Sequence, residues 1–175
     1  GTHLWRAGAM NRYKPHVLVV PEDDANRQLA NGFLQNPALN LRAIQVLPPA
    51  GGWVKVLDNL LDDYHAMLDE FPQRHLVLLI DFDEQVEARL ARFKDSLDSL
   101  SAKVRDRVYL LGTQDEPEPL RKACRVSLES IGEELGNACA DGEAGLWDHA
   151  MLKHNHSELE RLTHNVKPFL FQGTP

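Results

Sequence analysis

Short apolar runs separated by amphipathic stretches dominate the hydrophobic pattern of this chain. Residues 76–80 are five consecutive aliphatic positions, which is typical of a strand buried on both faces of a parallel sheet. Three more candidate strands lie at residues 16–20, 41–47 and 107–111.

Between and after these strands, apolar positions recur with helical spacing. The pattern predicts helices after residue 23 and over residues 53–68, 84–105, 120–138 and 146–162, with a final strand or docked tail at 166–171. Alternating strands and helices favour parallel pairing through right-handed crossovers. We therefore expect an α/β fold, with a small, mainly parallel sheet of about four strands flanked by helices and followed by a helical C-terminal extension.

The length of 175 residues fits one domain with a sizeable core. Residues 1–10, which end at Met10, are interpreted as a leader and excluded from the fold. Residues 11–125 are predicted to form the α/β core, and residues 126–175 a helical extension packed on it.

Net charge, cysteine content and the length of apolar runs limit the classes of protein to which this chain can belong. The net charge of −7 does not indicate a nucleic-acid binder, although a basic face can exist within an acidic total. Cys124 and Cys139 are far apart and form no CxxC motif, so we expect buried free thiols and a cytoplasmic location. No apolar run approaches the roughly 20 residues of a membrane span, so no membrane partner is expected.

Candidate chemistry lies where two predicted strands end. Glu22 follows the first strand, and Asp81 and Asp83 follow the third. If the first strand is central, it lies beside the third, and the carboxylates meet at the edge where open α/β sheets bind ligands. If extended geometry continues through Phe82, Asp81 and Asp83 point to one side. Clustered carboxylates repel each other, and hard oxygen ligands suit Mg²⁺ or Mn²⁺, so a divalent cation is expected.

These residues, in this order, resemble the toprim domain of topoisomerases, primases and overcoming-lysogenisation-defect nucleases. The matching positions are Glu22, Gly51-Gly52 before the second helix, and Asp81-Phe82-Asp83, within about residues 16–125. The resemblance implies that Glu22 transfers a proton and that Asp81 and Asp83 hold Mg²⁺. The family usually has glycine after its glutamate, where this chain has Asp23.

Other residues are candidates for supporting roles. Gly51 and Gly52 permit close approach of a phosphate, and Lys153 is a candidate phosphate contact. Asp24 or Glu118 is a candidate further carboxylate. His149, His154, His156 and His164 could form a zinc site or a second catalytic group, or could be surface and capping residues.

The expected function is Mg²⁺- or Mn²⁺-dependent phosphoryl transfer, as in a toprim-like nuclease acting on DNA or RNA. The resemblance also implies a separate ATPase partner or self-association. One alternative is a non-catalytic interaction module of the same fold, in which Glu22 and Asp83 serve as helix caps. Another is a receiver-like domain with Asp81 as phosphoacceptor, helped by Thr113 and by Lys167 after a fifth strand, although the gaps between these residues exceed the receiver spacing.

Overall fold

A computed structural model describes residues 10–172 of the protein. The four strands are β1 (His16–Pro21), β2 (Ile44–Val46), β3 (Arg74–Asp81) and β4 (Val108–Thr113). The helices are α1 (Asp24–Phe33), α2 (Trp53–Asn59), α3 (His65–Glu70), α4 (Val86–Leu97), α5 (Ala102–Arg105), α6 (Pro117–Cys124), α7 (Leu128–Asp141) and α8 (His156–Leu170). A π-helical segment, Leu60–Tyr64, joins α2 to α3, and 3-10 turns occupy Leu41–Ala43, Gly145–Asp148 and Lys153–Asn155.

The strands form one sheet in the order β2-β1-β3-β4, and every pairing is parallel. The predicted α/β fold is therefore confirmed. So is the adjacency of the first and third strands, which pair from His16 opposite Arg74 to Pro21 opposite Leu79. Because both strands are central, their carboxyl ends meet at the middle of one sheet edge.

Alternating side chains divide the core into two apolar clusters, one on each face of the sheet. The cluster we call the α7 face includes Val17, Val19, Val77, Tyr109 and Leu111, covered by α1, α6, α7 and α8. The cluster we call the α4 face includes Leu18, Val20, Leu76, Leu78, Ile80 and Leu110, covered by the segment from α2 to α5. Helices on both faces explain why the central strands are almost wholly apolar.

The C-terminal helices are part of the α7 face. Ile131 and Leu135 of α7 and Val166 and Leu170 of α8 share one buried cluster with the sheet residues. Residues on both sides of position 125 thus contribute to a continuous core.

Several element boundaries differ from those expected. The predicted helix 120–138 is two helices, because Arg125 adopts a left-handed conformation (φ 58°) and Ser127 caps a new helix at the Ser130 amide. The region 146–162 begins as two 3-10 turns before α8, and α8 extends through most of the predicted final strand. Phe171 forms only an isolated bridge with Leu39.

Side chains from α8 and the turn before it cover the outer edge of β4. The Leu110 amide donates to Glu158 Oε1 (3.2 Å), and the Gly112 amide donates to Asn155 Oδ1 (3.1 Å). Asn155 Nδ2 donates back to the Gly112 carbonyl (2.9 Å), and Arg161 donates to the Val108 carbonyl. The backbone groups that an edge strand normally exposes are therefore satisfied by side chains.

Two further sequence expectations concern the cysteines and the membrane. Cys124 and Cys139 are free thiols, as expected, but the prediction that they are buried is wrong, because each is partly exposed. Within residues 10–172, no helix combines the length and the apolar character required to cross a bilayer.

Helices α1 and α7 cross at glycines, which gives a test of the packing. A Cβ at Gly132 would lie 2.0 Å from the Leu29 carbonyl oxygen, whereas one at Gly136 would lie 3.0 Å from the Phe33 oxygen. Gly→Ala within a helix ordinarily stabilises by up to about 1 kcal/mol. We expect Gly132→Ala instead to lower the free energy of unfolding by about 2–3 kcal/mol through overpacking, measured by urea denaturation.

The matched control is Gly136→Ala, for which the loss should be smaller than for Gly132→Ala because the neighbouring atom has to move only slightly. Equal or greater stability of Gly132→Ala than of the unaltered chain would contradict the close helix crossing.

Candidate functional site

Backbone pairing brings Glu22 beside the end of β3. The Glu22 amide donates to the Leu79 carbonyl (2.8 Å), which extends the β1–β3 pairing by one residue. The Asp81 amide in turn donates to Glu22 Oε2 (3.1 Å). The Glu22 side chain is therefore fixed against the last residue of β3.

A third carboxylate, Asp23, completes a compact acidic group. Glu22, Asp23 and Asp81 each offer an oxygen, and these oxygens lie within 4.8 Å of one another. Glu22 and Asp81 are buried, with 6% and 7% of their surface exposed, and Asp23 is half-buried. We call these three residues the acidic triad.

Asn26 of α1 links two members of the triad. Its Nδ2 donates to Asp81 Oδ1 (2.7 Å) and to Asp23 Oδ1 (2.9 Å), and its backbone amide donates to Asp23 Oδ1 (3.0 Å). Asp23 thereby caps α1, which places two triad residues at a helix N-terminus. Asn26 is completely buried.

Burial and mutual repulsion raise the pKa values of two triad residues, Glu22 and Asp81. Burial raises the pKa of Asp81 to about 8; the Asn26 hydrogen bond opposes this, and the charges of Asp23 and Glu22 add to it. Burial also raises the pKa of Glu22, partly offset by hydrogen bonds from Asp81 and increased by the charges of Asp23 and Asp83. At neutral pH without a cation, the Glu22–Asp81 pair therefore retains a proton, and we place it on Asp81.

The donor set fits a hard divalent cation. Three convergent carboxylates are the ligands that Mg²⁺ and Mn²⁺ prefer, and a cation removes the repulsion that raises their pKa values. The amide oxygen of Asn26 is also buried and accepts no hydrogen bond. An unsatisfied acceptor on the residue that links two carboxylates is consistent with a positive ligand at this site.

Asp83, which we expected beside Asp81, is not in the triad. Strand β3 ends at Asp81, and Asp83 and Glu84 adopt left-handed conformations (φ 46° and 61°), so extended geometry does not continue through Phe82. Asp83 instead pairs with Arg89, with Oδ2 at 2.8 Å from Nη2. Nor does Asp83 cap a helix, because α4 begins at Val86 without a side-chain cap.

Gly51 and Gly52 lie at the same sheet edge, but their amides are occupied. Both donate to the Glu22 carbonyl, at 2.9 and 3.1 Å. Both residues have positive φ values (97° and 135°), and the space beside each Cα is open. The glycine pair therefore supports the backbone of Glu22, and the predicted phosphate contact cannot use these two amides as they stand.

The other candidates are dispersed. Among residues 10–172, no histidine belongs to a group of side chains able to hold a metal, and Lys153 begins the 3-10 turn before α8. His154 Nε2 donates to the Gly112 carbonyl (2.8 Å), and His156 lies 3.0 Å from Asp148. Asp24 and Glu118 were predicted as additional carboxylates of the site. Instead, Asp24 accepts a hydrogen bond from Arg27, and Glu118 accepts one from Arg121.

Of the three functional residues that were missed, only Asp23 had a signal in the sequence. Asp23 stands where the toprim pattern usually has glycine; in the structure it both caps α1 and belongs to the triad. Asn26 and Arg89 lie on helices, at positions where nothing in the sequence distinguishes them from solvent-facing residues. Lys167, assigned to the receiver-like alternative after a fifth strand, lies within α8.

Comparison of the chain with protein-family models, with curated proteins and with solved structures found no match.

The pKa shift of Asp81 predicts an unusual dependence of stability on pH. An unfolded aspartate titrates near pH 4, so the folded chain binds the additional proton between about pH 4 and pH 8. The free energy of unfolding should therefore fall as the pH rises through this range. We expect Asp81→Asn, measured with a chelator present, to flatten this dependence and to be more stable than the unaltered chain at pH 8 by about 1–3 kcal/mol.

Asp24→Asn is the control for this experiment, because Asp24 is exposed and Arg27 holds its pKa below the ordinary value. It should give no gain at pH 8. Parallel pH profiles for Asp81→Asn and the unaltered chain would show that Asp81 titrates normally.

Asn26 provides a second test. Asn26→Asp removes the donor shared by Asp23 and Asp81 and adds a fourth buried carboxyl group, so we expect a loss of about 2 kcal/mol or more at pH 7.5. The loss should shrink at pH 5, where carboxyl groups become protonated. Gln28→Glu makes the same chemical change on the same helix, at an exposed hydrogen bond to Asp24, and should have a much smaller effect on urea unfolding. Similar losses for the two variants would contradict the linking role of Asn26.

Proposed function

We propose that this protein catalyses phosphoryl transfer that depends on Mg²⁺ or Mn²⁺, and specifically that it hydrolyses phosphodiester bonds in nucleic acid. The observation that carries the proposal is the convergence of Glu22, Asp23 and Asp81 at the carboxyl ends of two adjacent central strands. The position of the triad at this sheet edge agrees with the general location of ligand sites in parallel sheets.

Each residue has a role that follows from its surroundings. Asp23 and Asp81 are the cation ligands, because Asn26 orients both carboxylates. A bound divalent cation would polarise a phosphoryl oxygen. Binding would also displace the proton held by Asp81, since a carboxylate must be deprotonated to coordinate a metal.

Glu22 is the proton-transfer residue in this proposal. Its backbone is held on both sides, by Leu79 through the amide and by Gly51 and Gly52 through the carbonyl. Oε2 accepts the Asp81 amide, which orients the carboxyl group. Burial raises the pKa of Glu22 toward the range in which a carboxyl group acts as acid or base near neutral pH.

The choice of nucleic acid as substrate, and of a separate ATPase or self-association as partner, comes from the toprim resemblance. A protein with a net charge of −7 repels a polyanion, so a basic partner surface would strengthen nucleic-acid binding.

A non-catalytic module is the second candidate, and one observation favours it. Asn26 already links two carboxylates, and the Glu22–Asp81 pair holds a proton, so the triad is stabilised without a cation. In such a module the acidic triad and Asn26 would serve only to join β1, β3 and α1 through their hydrogen bonds.

Mn²⁺ binding and nucleic-acid cleavage separate the two candidates. We expect saturable binding of Mn²⁺ by titration calorimetry, weakened at least about 10-fold in Asp81→Asn. Cleavage of circular DNA or single-stranded RNA with Mg²⁺ or Mn²⁺ should fall at least about 100-fold in Glu22→Gln.

Asp24→Asn, one residue from the triad but bonded to Arg27, should retain both binding and cleavage. Mn²⁺ binding without cleavage of either nucleic acid would contradict the nuclease proposal, and absence of binding would favour the non-catalytic module.

A further inference from the structure

Arg89 lies buried beside the acidic triad. Only 9% of its side chain is exposed, and its Nη1 donates to the carbonyl oxygen of Asp81. Its Nη2 pairs with Asp83, and its guanidinium carbon lies 4.6 Å from the centre of the Trp53 ring. The remaining donor, Nε, is buried without a partner.

These contacts join three segments around the triad. Asp81 ends β3, Asp83 lies in the connection to α4, and Trp53 begins α2 directly after the glycine pair that holds the Glu22 carbonyl. The guanidinium thus bonds the backbone of Asp81 directly and packs on the residue that follows the glycines bonded to Glu22.

The position of Asp83 depends on the same guanidinium. Asp83 is near enough for its charge to raise the pKa of Glu22, yet it is outside the group of oxygens within 4.8 Å. It follows Phe82 in a left-handed conformation that aspartate adopts less readily than glycine does. Among the contacts of residues 10–172, the ion pair with Arg89 is the one that fixes the Asp83 carboxylate.

We propose that Arg89 is a positioning residue of the acidic triad, which holds Asp83 away from Glu22, Asp23 and Asp81 and so keeps a further carboxylate out of the cation site. The inference rests on the proposed function, because it assumes that the triad binds a cation. It differs from the expectation drawn from the toprim resemblance, in which Asp83 is itself a metal ligand.

The proposal implies that the effect of removing Arg89 on cation affinity depends on whether Asp83 is present. Without Arg89, Asp83 is free to approach the triad, and a fourth carboxylate tightens binding of a hard cation. Loss of the positive charge of Arg89 would also tighten binding, but independently of Asp83. A double-mutant cycle separates the two effects.

The test measures the Mn²⁺ dissociation constant of the full chain by titration calorimetry. The variants are Arg89→Met, which keeps an unbranched apolar side chain but removes the guanidinium group that contacts Asp81, Asp83 and Trp53, Asp83→Asn, and the two combined. We expect Arg89→Met to tighten Mn²⁺ binding about 10-fold in the otherwise unaltered chain, but less than about 3-fold in the Asp83→Asn background. Asp83→Asn alone should leave the affinity within about 2-fold of the unaltered chain, because Asp83 is outside the triad.

Other results would overturn the inference. Equal tightening in both backgrounds would assign the effect to the charge of Arg89 alone, and strong weakening by Asp83→Asn alone would make Asp83 a ligand. Should Arg89→Met fail to fold, as judged by circular dichroism, Arg89→Lys replaces it, because one ammonium group cannot reproduce the two-pronged contact; it should show the same coupling with a smaller magnitude. No Mn²⁺ binding by the unaltered chain would contradict the proposed function, whereas binding without coupling would contradict only the role of Arg89.

Discussion

The parallel pairing of β1 with β3 is the constraint on which the acidic triad depends. Six residues of each strand are in register, and the Glu22 amide continues the pairing at the Leu79 carbonyl. This register fixes Glu22 beside Asp81 with no adjustable loop between the strand and the carboxylate. Asp23 then follows necessarily, because it is the next residue and caps the helix that leaves the strand.

Placing carboxylates together in a partly buried site costs free energy. Uncharged hydrogen-bond donors and the dipole of a helix offset part of this cost. Asn26 donates to two carboxylates, the Asp81 amide donates to Glu22, and the N-terminus of α1 adds a favourable dipole. Arg89, the nearby cation, bonds the Asp81 carbonyl and the outer carboxylate Asp83 rather than the triad side chains. Within residues 10–172, no lysine or arginine pairs with a triad carboxylate, so the hydrogen bonds to these carboxylates come from neutral donors.

The fold could be predicted from sequence because uninterrupted apolar strands such as residues 76–80 have few alternative structures, and the alternation of strands with helices limits the topology. Glu22 and Asp81 could be predicted for the same reason, since their positions follow from where strands end. Asp83 could not, because neither the left-handed conformation after Phe82 nor the ion pair with Arg89 leaves a pattern in the sequence. Asn26 and Arg89 were missed because each acts through contacts distant in sequence, and the break at Arg125 because a charged residue rarely adopts the left-handed conformation.

Because α8 covers the edge of β4, the sheet is protected from edge-to-edge aggregation only after α8 has been synthesised. Backbone groups at Val108, Leu110 and Gly112 find partners on side chains of residues 154–161, which leave the ribosome well after the sheet itself. Until those residues arrive, the sheet has an open flank to which another extended chain could add. During synthesis, and in any fragment cut before residue 154, these backbone groups of β4 lack the side chains that satisfy them.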